Sequence, residues 1–233
     1  MIIAVDGPAG AGKGTLAKQV ASHFNMAYLD TGALYRGVAV ATLKAGGNPQ
    51  DEASAAHAAR HLNFDFRDMG SGVFHAFVDG QDVETELRAP DVGTAASHVS
   101  AMPSVRQALK EFQVTFAEYN RDPNGVILDG RDIGTVICPE ADLKLFLEAD
   151  ARVRAQRRLK QLQDAGEDAT FDEVYAQTVA RDERDRGRQD APLRPAEDAL
   201  IVDSSKMDAE QVFEYVKALV EDAQPQSSSF QTV

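Results

Sequence analysis

The chain has 233 residues, of which 43% are hydrophobic, and its formal net charge at pH 7 is −13. This length and apolar content suffice for a sizeable core, and the acidity argues against nonspecific binding to nucleic acid or to anionic lipid. The single cysteine, Cys138, excludes an internal disulfide, and no stretch approaches the ~20 apolar residues of a membrane span, so we expect a cytoplasmic globular protein that binds neither nucleic acid nor membranes.

The first predicted element is a short apolar strand, Ile2 to Val5, that leads into a glycine-rich loop. Gly7, four further residues, Gly12 and Lys13 have the spacing of a P-loop, in which backbone N–H groups converge on phosphate oxygens and the lysine reaches the terminal phosphates. A helical pattern follows, from about Gly14 to Asn25. The residues predicted to bind the nucleotide phosphates are Gly7, Pro8, Ala9, Gly10, Ala11, Gly12, Lys13, Gly14 and Thr15.

A second predicted strand, Met26 to Leu29, precedes a helix whose first turns carry polar residues. Thr31 has the character of a helix N-cap, and the periodic residues after it place Tyr35 and Arg36 close to the carboxyl end of the strand. Ligands of open α/β sheets bind at that edge. These residues are therefore candidates for a binding site.

The middle of the chain predicts a helix and then a small β insertion. Residues 51–62 form an alanine-rich helical pattern with His57 and His61 one turn apart, and since no third ligand is apparent we interpret the pair as a solvated surface rather than a zinc site. Residues 63–83 alternate apolar runs with turn signals, which predicts antiparallel strands. A lobe that moves over a substrate and a decorative insertion are both compatible with this pattern.

Two helical patterns span residues 90–119, and the second carries Arg106 beside its opening turn. The apolar strand after them ends at Asp129, where a carboxylate can hold magnesium in a phosphoryl-transfer site; a carboxylate that only caps the next turn is the alternative. The sequence does not decide which oxygen of the P-loop contacts magnesium, because Gly14 follows the lysine and the hydroxyl group comes one residue later, at Thr15.

The next part of the chain is rich in arginine. After a fourth strand, one predicted helix carries Arg157 among several arginines, and a second helix follows. If the second helix continues through Gly187, then Arg181, Arg184 and Arg188 share one face. They would form either a fork that binds an anion or, paired with the interleaved acidic residues, a salt-bridged solvated surface.

Five strands separated by helices, beginning with strand, loop and helix, predict a doubly wound parallel α/β sheet. A strand at residues 199–202 and a helix at residues 209–221 complete it. The serine-rich tail, residues 222–233, is expected to be disordered.

Several motifs together resemble those of bacterial cytidylate kinases, which transfer the terminal phosphate of ATP to CMP or dCMP. The resemblance spans nearly the whole chain, to about Glu221, and is carried by residues 6–15, 29–36, 129–136, 181–188 and 191–193. It implies a P-loop kinase with a five-stranded parallel sheet flanked by helices, a small antiparallel β insertion at residues 63–83, and an arginine-rich helical lid. The implied single domain covers residues 1–221, with its core at 1–30, 120–150 and 190–221, a monophosphate-binding lobe at 31–119 and the lid at 155–188.

The resemblance also implies the substrates and the roles of individual residues. The phosphate donor would be ATP with Mg²⁺, and the acceptor would be CMP or dCMP. The protein is expected to be a monomer. The implied substrate-binding residues are Thr31, Tyr35, Arg36, Ser97, Arg106, Asp129, Arg131, Asp132, Arg181, Asp185 and Arg188. Within this set, Ser97, Arg106 and Asp132 would read the base. The implied catalytic residues, which position the phosphates and stabilise charge without a covalent intermediate, are Lys13, Arg131, Arg157, Arg181 and Arg188. Magnesium would be held by Asp129 and Thr15 through its bound water.

Two other classes of function share part of this pattern. A P-loop kinase for a different small acceptor would keep Lys13 and Asp129 but not the residues that read cytosine. A nucleotide-driven ATPase or switch would need a positioned water molecule and a partner surface. Turnover with different acceptors, or with none, distinguishes these classes.

Overall fold

The computed structural model describes residues 1–70 and 73–224. In these ranges the strands are β1 (Ile2–Asp6), β2 (Ala27–Asp30), β3 (Phe64–Asp68), β4 (Phe74–Val78), β5 (Gln81–Asp82), β6 (Val126–Asp129), β7 (Leu143–Glu148) and β8 (Leu200–Asp203). The helices are α1 (Lys13–Phe24), α2 (Thr31–Lys44), α3 (Glu52–Arg60), α4 (Glu84–Leu87), α5 (Pro90–Val99), α6 (Pro103–Tyr119), α7 (Ala151–Asp164), α8 (Phe171–Arg186) and α9 (Ala209–Ala223), and a π-helix spans Ile133–Ile137. The last helix extends past its predicted end, and residues 225–233 of the tail predicted to be disordered lie outside the described residues.

A parallel sheet forms the centre of the molecule, as predicted. Its five strands have the order β2-β6-β1-β7-β8. The register pairs Asp129 with Val5 on one side and with Asp30 on the other, so the ends of these strands are level. The carboxylates of Asp6, Asp30 and Asp129 therefore lie along one edge of the sheet, the edge at which ligands of such sheets bind.

The sheet separates two clusters of buried apolar side chains. Successive residues of a strand point to opposite faces, so Ile2 and Ala4 of β1 belong to one cluster, while Ile3 and Val5 belong to the other. Helices α2, α3 and α6 cover the first cluster, and α1 and α9 cover the second. Both faces of the sheet are thus buried, which fixes the strand ends that carry the candidate site.

The predicted insertion is confirmed as an antiparallel sheet of β3, β4 and β5. It packs against the central sheet through aromatic rings, because Phe66 and Phe74 lie with their ring centroids 5.5 and 5.2 Å from that of Tyr28 in β2. These edge-to-face contacts bury apolar area beside the carboxyl end of β2. Whether the insertion moves over a substrate stays a prediction, as do the proposed boundaries of core, lobe and lid.

The N-cap of α2 corrects one expectation. Asp30, not Thr31, caps the helix, because the Asp30 carboxylate accepts a hydrogen bond of 2.9 Å from the backbone N–H of Ala33. Thr31 is the first helical residue, and its hydroxyl group instead donates to the carbonyl oxygen of Asp129 at 2.8 Å. Two adjacent residues of capping type compete here, and the one at the end of the strand has the extended backbone that a cap requires.

The helix that carries the predicted arginine fork ends earlier than the fork requires. A capping box between Thr170 and Glu173 starts α8, and the helix ends at Arg186 with Gly187 as its C-cap. Arg188 therefore lies beyond the helix, and the condition under which it would share a helical face with Arg181 is not met. Gly187 has a φ of −82°, and its N–H still donates to the carbonyl oxygen of Glu183, so the helix ends there without a left-handed residue.

Two short elements were not predicted from the sequence. Helix α4 has only 4 residues, too few for a periodic pattern. The π-helix is apolar and would pass for a strand, and its first N–H groups bond to the side chain of Asp6 in another element. Within the described ranges, no helix is both long and apolar enough to cross a lipid bilayer.

A side chain at Gly7 would collide with the backbone of β7. Gly7 has a φ of +146°, and a Cβ atom built on it would lie 1.9 Å from the carbonyl oxygen of Leu147. Because that oxygen belongs to a central strand, we expect Gly7→Ala to lower the free energy of unfolding by more than about 4 kcal/mol. Urea denaturation followed by circular dichroism measures this loss.

Gly46→Ala is the matched control. Gly46 also has a positive φ, +74°, but a Cβ atom there would meet nothing within 4 Å. Its substitution should cost only the backbone strain, about 1–2 kcal/mol. Equal losses for the two variants would show that the contact with Leu147 does not matter.

Candidate active site

The P-loop places one lysine at the start of α1. Gly12 takes a left-handed conformation with a φ of 100°, and Lys13 begins the helix after it. The Lys13 ammonium donates a hydrogen bond of 2.9 Å to the Pro8 carbonyl oxygen and lies 3.9 Å from the nearer carboxylate oxygen of Asp129. Burial, reinforced by the positive charge of Arg131, lowers the pKa of Lys13 to about 7. The ammonium is thus held between a carbonyl and a distant carboxylate, where an added anion would stabilise its charge.

Asp129 faces the P-loop from the end of β6. Burial raises the pKa of this carboxyl to about 6, although Lys13 opposes the shift. One carboxylate oxygen lies against the backbone of α1, because a Cβ atom at Gly14 would be 3.2 Å from it. This close approach explains why the P-loop has glycine directly after its lysine and places its hydroxyl group at Thr15, which is exposed.

The donors fit a magnesium ion that arrives with a nucleotide. Asp129 offers a carboxylate and Thr15 a hydroxyl group, both oxygen ligands of the kind that Mg²⁺ prefers. Among the residues that the structure describes, no group of three or more His, Cys, Asp or Glu side chains could hold a metal ion. A magnesium ion at Asp129 and Thr15 would need further oxygen ligands, of the kind that phosphate groups offer.

Asp6 connects the P-loop strand to the loop that follows β6. Its two carboxylate oxygens accept hydrogen bonds of 2.8 Å from the backbone N–H groups of Ile133 and Gly134. Burial raises the pKa of Asp6 to about 7, against these two hydrogen bonds. The side chain thus fixes the start of the π-helix directly after Asp132.

The three residues predicted to read the base are buried near one another. Arg106 of α6 forms an ion pair with Asp132, and the Arg106 guanidinium also donates to the carbonyl oxygen of Ser100 at 3.1 Å. The guanidinium lies 5.8 Å from the centre of the Tyr35 ring, which places Tyr35 in the same group. Ser97 of α5 is buried beside them and accepts a hydrogen bond from Arg184 of α8.

A second group of arginines lies between the P-loop and these residues. Asp185 accepts hydrogen bonds from Arg131 at 3.2 Å and from Arg188. Burial alone would raise the pKa of Asp185, but the charges of Arg131 and Arg188 outweigh it and hold the pKa below its usual value. Asp182 and Asp185 of α8 are thus buried and paired with arginines, while Glu183 between them is exposed, which excludes the fully solvated surface considered from the sequence.

Arg181 is the least compensated cation of this group. Burial and the repulsion of Arg131 lower the pKa of Arg181 to about 9. The Nε atoms of Arg181 and Arg188 are buried and have no hydrogen-bond partner. Arg36 of α2, half-buried, adds a further positive charge that acts on Arg181. Buried donors without a partner indicate a place for an anion.

Arg157 lies apart from this arginine group. Its guanidinium donates to the carbonyl oxygen of Ser204 at 2.7 Å and to the carbonyl oxygen of Ala11 in the P-loop at 3.4 Å. It therefore adjoins the P-loop from α7, away from Arg181 and Arg188.

Several residues of the site escape sequence reasoning. Asp6 follows an apolar strand as Asp129 does, so the same pattern could have singled it out. Ser100, which accepts a hydrogen bond of 3.1 Å from Arg188, has no comparable pattern. Nor has Arg154, because its partners Ala9 and Asp182 are far from it in the chain.

A cavity of about 920 Å³ adjoins the site between the α5–α6 connection and α8. Ser97, Met102, Arg184 and Arg188 contribute to its lining. Open space therefore lies beside the residues that the resemblance places around the acceptor.

Comparison with known proteins decides the family. The family model described as cytidylate kinase matches residues 3–222. The chain belongs to the cytidylate kinase family. Curated cytidylate kinases include one from Rhodopseudomonas palustris, 49% identical over 90% of this chain and 91% of its own, and one from Nitrobacter winogradskyi, 47% identical over 97% of this chain and 99% of its own. The resemblance inferred from the motifs is thus confirmed, and membership of this kinase family makes the protein a phosphotransferase that uses ATP.

Solved structures share the fold at low sequence identity. An uncharacterized protein from Eubacterium ventriosum matches with a TM-score of 0.52 at 10% identity, covering 95% of this chain and 98% of its own. This likeness agrees with the α/β architecture described above.

The raised pKa of Asp6 predicts how stability depends on pH. Its pKa is about 7 in the folded protein, against an ordinary value of 3.8 for the unfolded chain, so the folded state binds more protons between these values. Stability from this group is present below pH 4 and is lost as the pH rises to 7. Relative to Asp6→Asn, the wild-type protein should lose on the order of 1.4 kcal/mol per pH unit in this window.

Urea denaturation of both proteins at several pH values between 4 and 8 measures this difference. Asp129 and Lys13 titrate in both proteins, and since Asp6 and Lys13 shift each other's pKa, the difference between the two profiles reports Asp6 together with its coupling to Lys13. Parallel profiles would show that Asp6 keeps an ordinary pKa.

Proposed function

We propose that this kinase transfers the γ-phosphate of ATP to CMP or dCMP, giving ADP and CDP or dCDP. The observation that carries the residue assignment is the excess of buried positive charge between the P-loop and the base-reading group. Lys13 and Arg181 both have lowered pKa values, and buried Nε atoms of Arg181 and Arg188 lack partners. Phosphate groups supply the negative charge and the acceptor oxygens that this arrangement lacks.

The P-loop is proposed to hold the triphosphate of ATP. Its backbone N–H groups and the N-terminus of α1 would face the phosphates, and Lys13 would contact the terminal ones. Arg157 would add positive charge from the α7 side of the loop. Asp129 and Thr15 would hold magnesium through its bound water, and the ion would supply positive charge that offsets the charge of the phosphates.

The acceptor is proposed to lie across the site from the P-loop. Arg36, Arg131, Arg181 and Arg188 would bind its phosphate, and Asp185 would contact its sugar while orienting two of these arginines. Thr31 and Tyr35 would line the same pocket. Fixed guanidinium groups stabilise the charge that spreads over the transferred phosphoryl group, so positioning and electrostatics supply the catalysis. All these residues belong to one chain, and we expect the enzyme to act as a monomer.

The base is proposed to be read by Asp132, Arg106 and Ser97. Cytosine has an amino group that donates beside a ring nitrogen and a carbonyl that accept. Asp132 can accept from the amino group, while Arg106 and Ser97 can donate to the acceptors. Uracil presents a carbonyl where cytosine has its amino group, which would place one acceptor oxygen against another at the buried Asp132 carboxylate.

Turnover with a series of acceptors tests the proposed function. With ATP, release of ADP should be at least about 100-fold faster with CMP or dCMP than with UMP, AMP or no acceptor, because a site built for one hydrogen-bonding pattern rejects another. A coupled ADP-release assay measures these rates. Equal turnover without an acceptor would favour an ATPase, and equal turnover with another acceptor a different kinase.

Lys13→Met provides the negative control of this assay. Removal of a charge that contacts the transferred phosphate should lower kcat/KM by roughly 10²–10³, whereas Lys18→Met on the same helix should change it little. The variant should stay folded, as circular dichroism would show, since the ammonium lies as far as 3.9 Å from Asp129 and its burial is itself unfavourable.

The choice of base depends on Asp132 in a measurable way. Asn is nearly isosteric with Asp, and its amide can pair with either base, so Asp132→Asn should narrow the ratio of kcat/KM for CMP over UMP by roughly 10² or more. Steady-state kinetics with both acceptors measure the ratio.

Asp185→Asn is the control for this experiment. The sugar and phosphate are common to both acceptors, so this variant should lower both efficiencies and leave their ratio unchanged. If Asp132→Asn also lowers both by one factor, Asp132 does not read the base.

A further inference from the structure

Arg154 of α7 connects three separate parts of the fold through one guanidinium group. Its side chain is 3% exposed. The Nε atom donates to the Ala149 carbonyl oxygen at 2.9 Å, and Nη1 donates to the Ala9 carbonyl oxygen in the P-loop at 3.1 Å. Nη1 and Nη2 together bind both carboxylate oxygens of Asp182 in α8, at 3.0 and 2.6 Å.

The P-loop packs against the side chain of Arg154. A Cβ atom at Gly10 would lie 3.2 Å from the Cβ atom of Arg154, so the tip of the loop packs directly against the stem of the arginine. Gly10 has a φ of +79°, a conformation that glycine adopts without strain. A shift of the P-loop on binding phosphate would therefore act on Arg154 through both a hydrogen bond and a packing contact.

The other partner of Arg154, Asp182, lies in the sequence beside Arg181, which is proposed to bind the phosphate of the acceptor. Asp182, which is buried, directly follows Arg181, and Asp185 is its neighbour one turn later on α8. Two parallel N–H···O bonds fix the direction of the carboxylate as well as its position. The orientation of α8, and with it the placement of Arg181 and Asp185, is thus tied to the guanidinium that contacts the P-loop.

We infer that Arg154 is a positioning residue that couples the occupancy of the P-loop to the placement of Arg181 and Asp185. Nucleotide in the P-loop favours the orientation of α8 that binds the acceptor phosphate, and acceptor binding favours the P-loop conformation that holds the nucleotide. Such coupling is reciprocal. The inference rests on the proposed function, because it names the acceptor as the second ligand.

The alternative is a purely structural ion pair. A buried pair can often be replaced by apolar residues of similar size without loss of stability, whereas removal of one partner leaves an uncompensated charge. The double variant R154M/D182L therefore keeps a packed contact between α7 and α8 and removes the bond to Ala9. It separates the stability of the α7–α8 contact from its connection to the P-loop.

Calorimetric titration of CMP in the presence and absence of saturating ADP measures the coupling without turnover. In the wild-type protein ADP should tighten CMP binding by about 5-fold or more. In Arg154→Lys and in R154M/D182L, ADP should change the affinity for CMP by no more than about twofold, which is below the range of typical allosteric coupling. Arg158→Met is the control, since Arg158 is exposed on the same helix one turn away and should keep the wild-type factor.

The outcomes distinguish the inference from its alternatives. Wild-type coupling in Arg154→Lys and R154M/D182L, measured on proteins that melt as the wild type does, would overturn the inference and leave the proposed function intact. A double variant that regains both its melting temperature and its coupling would show that the pair is only structural. A wild-type protein without ADP-dependent tightening would also overturn the inference, and one that turns over no CMP would overturn the proposed function with it.

Discussion

Burial of positive charges, reinforced by repulsion between them, governs the rest of the site. Against the effect of burial, the carboxylates of Asp185 and Asp129 raise the pKa of Arg131, whereas burial and the nearby charge of Arg131 lower the pKa of Lys13 to about 7 and of Arg181 to about 9. The protein therefore keeps these groups charged at an energetic cost, which negative ligands remove. Binding of phosphates should raise the pKa of Lys13 again, so the stability of the complex and the proton content of the site are linked.

The sheet and its surrounding bonds hold these charges in place. Parallel strands end at one edge, and the register aligns the ends of β1, β2 and β6 there. Asp6 extends this arrangement beyond the strands by fixing the first N–H groups of the π-helix. The acidic groups of the site thus have two uses: they partly offset the arginines, and they orient them. Asp185 does both, because it binds Arg131 and Arg188 together.

The features that could be predicted from the sequence are those that a short stretch of residues determines by itself. The P-loop, the parallel sheet and the small insertion follow from glycine spacing, apolar runs and turn signals within short stretches. The predicted N-cap of α2 was wrong because two residues of capping type, Asp30 and Thr31, are adjacent, and local preference does not choose between them. The position of Arg188 depended on whether a helix passes Gly187, which the sequence left open.

Contacts between distant segments could not be predicted in the same way. Arg154 is one of several arginines in its helix, and only the approach of the P-loop and α8 distinguishes it. Ser100 and Tyr28 likewise gain their surroundings from tertiary packing. Of the residues that the family resemblance implied, Arg106 and Asp132 do lie together, yet nothing in the spacing of the two positions, far apart in the chain, indicates this contact.

The contact between Gly14 and Asp129 has a consequence for how such sequences can change. A Cβ atom at position 14 would lie 3.2 Å from the Asp129 carboxylate, so a serine there requires that carboxylate to move. The two positions should therefore vary together over evolutionary time, even though they belong to different motifs. A P-loop transplanted from a kinase with serine after its lysine would need the Asp129 carboxylate to shift by a few tenths of an ångström.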